Sequence, residues 1–177
     1  MPNVPQIAGR SLFEWITLLC RLVLGVVLLV AGALKVTQLD ASVLSVRLYQ
    51  ILPWELTALA GYAMPILEIA TGLLLIVGLF TRWSALIGAL FMVAFIIAIA
   101  SVWARGISID CGCFGGGGEV AKETAIANYP WDIARDVGLL ATGVWAAWRP
   151  KSPFAVDEWL FAPVVLDDPD DPQTSDH

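Results

Sequence analysis

The chain has 177 residues, 58% of them hydrophobic and only 15% charged, whereas charged residues make up about a quarter of an ordinary soluble domain. That length suits one domain, and that apolarity places it in lipid rather than in water. The formal net charge of −6 resembles no basic nucleic-acid footprint and belongs to a tail: seven of the sixteen carboxylates lie beyond Ser152, while up to Lys151 nine acidic residues face ten basic ones.

A helix that crosses a bilayer needs about 20 mostly apolar residues, since the hydrocarbon layer is about 30 Å thick and each residue advances about 1.5 Å. Helices are expected because a spanning segment must satisfy its own backbone hydrogen bonds. The first such stretch runs from Leu12 to Val36. Within it Arg21, the run Leu22 to Val30 and Ala31-Gly32-Ala33 imitate a signal peptide with a small-residue cleavage site, yet the apolar run is long enough to span uncut.

The segment VTQLDASVLSVRLYQILPWE follows, with Leu39, Val43, Leu44, Leu48, Ile51 and Leu52 at helical spacing against Asp40, Ser45, Arg47 and Gln50. It reads as a short helix in the membrane surface, ended by Pro53, or as a loop packed over the bundle. The second span is Leu56 to Phe80 and the third Trp83 to Ala104; the tight turn GLFTRW makes them antiparallel neighbours. A longer, glycine-rich connection, ISIDCGCFGGGGE, leads to a shorter fourth span, Trp131 to Trp148, which opens WDIARD. The end, VVLDDPDDPQTSDH, carries prolines and carboxylates and is expected to be disordered in its last part, as a solubilising end or a docking segment.

Small residues suited to close helix packing are Gly25, Ala31 and Gly32 in the first span, Gly61 and Gly72 in the second, and Gly138 and Gly143 in the fourth. Trp54, Trp83, Trp103, Trp131 and Trp148 fall near span ends, as an interfacial aromatic belt requires. Arg10, Arg82, Arg149 and Lys151 lie on one side of the bundle, and Lys35, Arg47, Arg105 and Lys122 on the other, a tie for the positive-inside rule. A close thiol pair is most useful where disulfides persist, and a long polar tail is easier to leave in the cytoplasm. Both termini are therefore expected inside the cell, in the inner membrane, with the cysteine loop outside.

Charges within the spans are expensive. Glu68 lies midway along the second span, where a carboxylate costs about 2.5 to 3.5 kcal/mol unless it is paired or protonated. Depths counted from the inner helix ends place Arg21 at about 14 Å and Glu68 at about 18 Å, so Arg21 is the expected partner, and both should face the bundle. The pair would fix helix register or serve proton or quinone chemistry. Asp132, Arg135 and Asp136 fall in the first turns of the fourth span, with Lys35 at a similar level. They predict a polar cluster under the loop, or a solvated rim held by salt bridges.

Cys111 and Cys113 stand one residue apart, with Gly112 to ease the turn and Asp110 before them. The spacing strains ordinary disulfide geometry, and strained disulfides are the easier to reduce. So short a loop removes little unfolded-state entropy, well below the roughly 3 kcal/mol of a 15-residue loop, which argues against a staple. Redox exchange, binding of a soft metal such as Cu(I) and a structural pair remain open. The only histidine is His177, so a tetrahedral zinc site lacks ligands. Asp110 would raise a nearby thiol pKa, and Arg105 or Arg135 would lower it. Cys20, at the other end of the first span, reads as a packing residue.

CRLVLGVVLLVAGALK, MPILEIATGLLLIVGL, ISIDCGCFG and ARDVGLLATG together resemble the DoxX-like membrane proteins, in the branch containing the methylamine-utilisation protein MauE. The resemblance runs from about Arg21 to Trp148, and DCGCFG is its most specific piece. It implies a four-helix membrane protein with an accessory role in maturing a disulfide-rich periplasmic dehydrogenase, through disulfide formation or handling. It implies redox positions at Cys111 and Cys113, and it places Arg21, Lys35, Glu68 and Arg135 at matching polar positions without a settled role. The acidic tail lies outside the pattern.

The expectation is an all-α, integral membrane four-helix bundle over residues 1–151, with a short interfacial helix, and an acidic C-terminal tail over 152–177. Cys111 and Cys113 would exchange electrons with a thioredoxin-like or other extracytoplasmic redox partner. No bound cofactor is expected, although electrons could continue to quinone. The rivals are a non-enzymatic subunit of a larger membrane complex and a soft-metal carrier.

Overall fold

The computed structural model describes residues 12–112 and 118–160. Every regular element among them is helical: α1 (Leu12–Val36), α2 (Leu39–Tyr49), α3 (Trp54–Val77), α4 (Thr81–Ala104), α5 (Lys122–Trp148) and the short α6 (Val156–Leu160). By length and composition α1, α3 and α4 can each cross a membrane. The expected fourth span, α5, has 27 residues but is not among them, because Asp132, Arg135 and Asp136 interrupt its apolar sequence.

Buried positions of α5 recur at Ala125, Tyr129, Asp132, Asp136, Leu139, Gly143 and Ala146, in alternating steps of four and three. Helix α1 repeats the pattern through Thr17, Arg21, Leu24, Leu28, Ala31 and Lys35, and α4 through Thr81, Ala85, Gly88 and Met92. A mean spacing of about 3.5 residues is the seam of gently crossed, interlocking helices. The faces away from the seams expose large apolar side chains, such as Leu19, Val23, Val26 and Val30 of α1. In water such a band would drive aggregation; in a bilayer it faces solvent of its own kind.

The closest approach is between α1 and α3. A Cβ on Gly72 would lie 2.7 Å from the Gly25 carbonyl oxygen, and one on Gly32 would lie 2.7 Å from that of Pro65. These contacts set the antiparallel register, Gly25 against Gly72 and Gly32 against Pro65. Gly61 seats Val43 of α2, and Gly143 meets Ala89 of α4. Gly138 does not join them: nothing lies within 4 Å of where its Cβ would stand.

Several helix boundaries differ from expectation: α3 runs Trp54–Val77 rather than Leu56 to Phe80, and α4 begins at Thr81 rather than Trp83. Helix α2 stops at Tyr49 because Gln50 adopts φ 51° and closes the helix with its N–H on the Arg47 carbonyl. Ile51 and Leu52 therefore lie beyond the helix, and Pro53 stands before α3 instead of ending α2. Val43 is buried on α3, so the segment is both helical and packed over the bundle. Helix α5 begins at Lys122, not at Trp131, and runs through Pro130. An internal proline costs one backbone bond, but Ala125 and Tyr129, buried a turn apart on the same seam as Asp132, hold the earlier turns in helix. WDIARD is thus well inside α5 rather than at its start.

The end of the bundle opposite the cysteine loop is closed by the residues after α5. The Asp157 carboxylate accepts hydrogen bonds from the Phe80 and Thr81 N–H groups, each at 2.7 Å, and so caps α4 from a distance in sequence. The Asp157 N–H returns to the Gly78 carbonyl at 3.1 Å. Ser152, fully buried, accepts from Arg21 Nη1 at 2.9 Å. The start of the expected tail is therefore packed structure, while its stretch beyond Leu166, expected to be disordered, lies outside the described residues.

Thermal unfolding of the purified protein in detergent checks three substitutions. Gly72→Ala places a methyl against backbone and lowers stability by about 1 to 3 kcal/mol, whereas Gly138→Ala, in open space, raises it by up to about 1 kcal/mol. Asp157→Ala removes the cap of α4 and costs about 1 kcal/mol; an unchanged melting temperature would show that the α4 terminus needs no such partner.

Candidate functional site

The cysteine loop leaves α4 through Gly106, whose φ of 69° turns the chain back. Its base is a hairpin: Ile109 and Glu119 form an antiparallel bridge, with Asp110 N–H on the Gly118 carbonyl at 2.9 Å and Val120 N–H on that of Ser108 at 3.2 Å. Ile109, 1% exposed, anchors this base in an apolar cluster with Ile99, Val102, Ala125 and Tyr129.

Two tyrosines fix the strand that carries Cys111. The Tyr129 hydroxyl accepts from the Ile109 N–H at 3.0 Å and lies 2.8 Å from the Ile107 carbonyl oxygen, to which it donates. The Tyr49 hydroxyl donates to the Cys111 carbonyl at 2.8 Å. Arg105 donates to the carbonyls of Tyr49 and Gln50, tying the end of α2 to the end of α4. Gly112 is buried and has φ 64°, a left-handed conformation that a side chain would disfavour. Cys111 is half-buried and Asp110 exposed; Cys113 lies outside the described residues.

Beneath the loop lies a cavity of about 230 Å³ between α2, α3 and α4. Cys111 and Gly112 line it, as do Tyr49, Met64, Phe95 and Lys35. Lys35 is 6% exposed, Glu68 is fully buried, and Lys35 Nζ lies 2.6 Å from Glu68 Oε1. Glu68 Oε2 is buried with no hydrogen-bond partner among the described residues. The Lys35 ammonium also sits 4.9 Å from the centre of the Phe95 ring, a cation–π distance.

Glu68 faces the bundle, as expected, but its partner is Lys35 rather than Arg21. The inner ends of α1 and α3 are not level. In the register set by the glycines, Glu68 stands opposite Leu29, about 12 Å along α1 from Arg21 and about 9 Å from Lys35. Side-chain direction decides the matter, since helical side chains lean toward their own N-terminus. In this antiparallel pair Lys35 leans toward Glu68 and Glu68 toward Lys35, while Arg21 leans away, to Ser152. The same burial removes Lys35 from the exposed charges of the loop end.

The second charged group lies on α5. Arg135 bridges Asp132 at 3.1 Å and Asp136 at 2.9 Å, and Lys35 is within electrostatic reach of Asp136. A polar cluster below the loop is thus present, with Asp136 only 2% exposed and Asp132 9%. Cys20 is half-buried at the opposite end of α1. Among the described residues no group of three or more His, Cys, Asp or Glu side chains converges as a metal site would. The tyrosines and the cavity were missed by the sequence reading, and Arg105 was read as a charge near the thiols rather than as the tie between α2 and α4. Tyr129 alone carried a signal, its place on the α5 seam one turn from Ala125.

No curated protein and no solved structure matches the chain. The family model described as "Methylamine utilisation protein MauE" matches residues 13–149, from the first turn of α1 to just past the end of α5, and so takes in the fixed loop, the buried ion pair and the cavity. The chain therefore belongs to the MauE family of methylamine utilisation proteins.

Proposed function

We propose that the protein is a four-span membrane accessory for disulfide chemistry, in which Cys111 and Cys113 exchange electrons with an extracytoplasmic protein, either a thioredoxin-like carrier or a secreted protein being matured. The observation that carries this reading is the hold on the loop. A bridge at its base, the Tyr129 and Tyr49 hydroxyls and a left-handed Gly112 present the backbone of Cys111 in one place. The family's name ties the chain to methylamine utilisation; the role in maturation is what the resemblance implies, and kinship with the wider DoxX-like group rests on the same segments.

The exchange balances without a cofactor. A thiolate of the partner attacks the Cys111–Cys113 disulfide, forming a mixed disulfide and releasing one cysteine of the pair as a thiolate. The partner's second thiolate then displaces the remaining cysteine. The partner gains a disulfide, and the pair has accepted two electrons and leaves as a dithiol once protonated. A disulfide closed over one intervening residue is readily reduced, which suits an oxidant.

Helix α5 serves as the fourth span in this reading. Asp132 and Asp136 lie on its buried seam, so its charges turn inward, and Trp131 and Trp148, 74% and 83% exposed, mark its two interfaces. The turns before Trp131 stand above the membrane and hold the loop. With Lys35 buried and Arg47 half-buried, the exposed cations are Arg105 and Lys122 at the loop end against Arg82, Arg149 and Lys151 at the other, where chain order adds Arg10. The positive-inside rule then favours both termini in the cytoplasm of a cell whose inner membrane the protein spans.

Replacing both Cys111 and Cys113 by serine is expected to lower disulfide formation in the partner at least tenfold, with the helical fold intact by circular dichroism. A single Cys113→Ser variant should trap a mixed disulfide, visible as a reductant-sensitive mass shift. Cys111 should react, after reduction, with a membrane-impermeant thiol reagent added to intact cells. A stable membrane complex that keeps full activity in the double variant would replace this reading with that of a structural subunit.

A further inference from the structure

An oxidant that hands on its disulfide must be reoxidised, and the cavity below Cys111 has the chemistry for it. Its wall is apolar, formed by Val46, Met64, Pro65 and Phe95, and Ile51, Leu52 and Ala94 at its edge are themselves exposed on the face turned to lipid. A pocket that opens there takes its ligand from the hydrocarbon phase. An apolar cavity of roughly 150 Å³ accepts a benzene ring, so about 230 Å³ admits one substituted six-membered ring and leaves a long tail outside.

The floor is not apolar. Lys35 is the one charged side chain among the lining residues. Its ammonium carries three donors, of which Glu68 Oε1 takes one, and it stands over Phe95. Donors left over in so dry a place favour a ligand with a hydrogen-bond acceptor, and a neutral one, because Glu68 already balances the charge. The roof is Cys111. A flat, neutral, lipid-soluble ring with carbonyl oxygens at opposite ends matches floor, wall and roof together.

We infer that this cavity is the binding site for a membrane quinone, whose carbonyl accepts a hydrogen bond from Lys35, whose ring lies along Phe95 and whose tail leaves past Leu52 and Ala94. This rests on the exchange proposed above and supplies its electron acceptor. The reduced pair gives two electrons and its two thiol hydrogens to the quinone: the sulfur–sulfur bond of Cys111 and Cys113 forms, two S–H bonds break, and each quinone oxygen becomes a hydroxyl. Dithiol plus quinone gives disulfide plus hydroquinone, with no other reactant.

Binding of decylubiquinone to the full chain in lipid nanodiscs tests the site, with decylbenzene as a ring of equal tail but no carbonyl. The quinone is expected to bind at least tenfold more tightly than decylbenzene to the wild type and to the double serine variant alike. Ala94→Phe, which fills the edge without touching the ion pair, should weaken quinone binding at least tenfold, as should Lys35→Met combined with Glu68→Leu. The pre-reduced wild type should bleach one equivalent of quinone, and the serine variant none. Equal binding of quinone and decylbenzene, or undiminished quinone binding by Ala94→Phe, would overturn the site; a bound quinone left oxidised by the reduced pair would overturn its role as acceptor. Quinone binding that persists while the pair proves inert toward protein disulfides would instead defeat the exchange reading and leave the site standing.

Discussion

A carboxylate with no exposure, at the middle of an apolar helix, is the constraint around which the rest of the bundle is arranged. Glu68 must find a cation within the protein, and Lys35 is the cation whose side chain leans the right way. An ion pair of this kind adds little net stability, since desolvation offsets most of its Coulomb gain. What it supplies is register: removing one partner leaves a stranded charge at a cost of about 3 to 5 kcal/mol, so slipped pairings of α1 on α3 are strongly disfavoured. The glycine contacts of Gly25, Gly72 and Gly32 then close the two backbones to a distance that only this register allows.

That register has consequences for the loop end. Because Lys35 reaches inward along α1 rather than outward to water, it becomes the floor of a cavity. Helices α3 and α4, joined by a tight turn at the far end, contact one another less than α1 contacts α3, and the space between them near the loop is roofed by α2 and Cys111. Arg105 closes this roof by holding the carbonyl end of α2. At the opposite end Arg21, buried at 1% exposure, donates to Ser152, on a chain that returns across the bundle to cap α4.

Much of this was legible in the sequence because lipid imposes simple rules. Apolar runs of sufficient length gave α1, α3 and α4, small residues marked the α1–α3 contact, and the tryptophans marked the span ends. The failures have physical causes. Arg21 was matched to Glu68 by depth alone, which ignores both the staggering of helix ends and the lean of side chains. The fourth span was begun at Trp131, where the apolar stretch starts, whereas the burial that holds the turns before Pro130 in helix involves Ile109, distant in sequence. Gly138 has the composition of a packing residue but sits off the seam. The role of Asp157 had no local signal, since a cap supplied from 77 residues away is a tertiary fact.

On the proposed reading the cysteine loop joins two phases, and this explains a combination that is otherwise contradictory. A sulfur that meets a protein partner benefits from a supple chain, yet one that meets a ligand in a cavity needs a fixed position. Cys111 has the fixed position: its carbonyl is held by Tyr49, the preceding residues by Tyr129, and its neighbour Gly112 is buried. Each hydroxyl contact contributes about 1 kcal/mol, small against the fold but comparable to the entropy of one ordered residue, so two of them suffice to hold a short strand. The four glycines come only after Cys113. On the proposed reading this asymmetry keeps the Cys111 sulfur in place for electron delivery into the cavity.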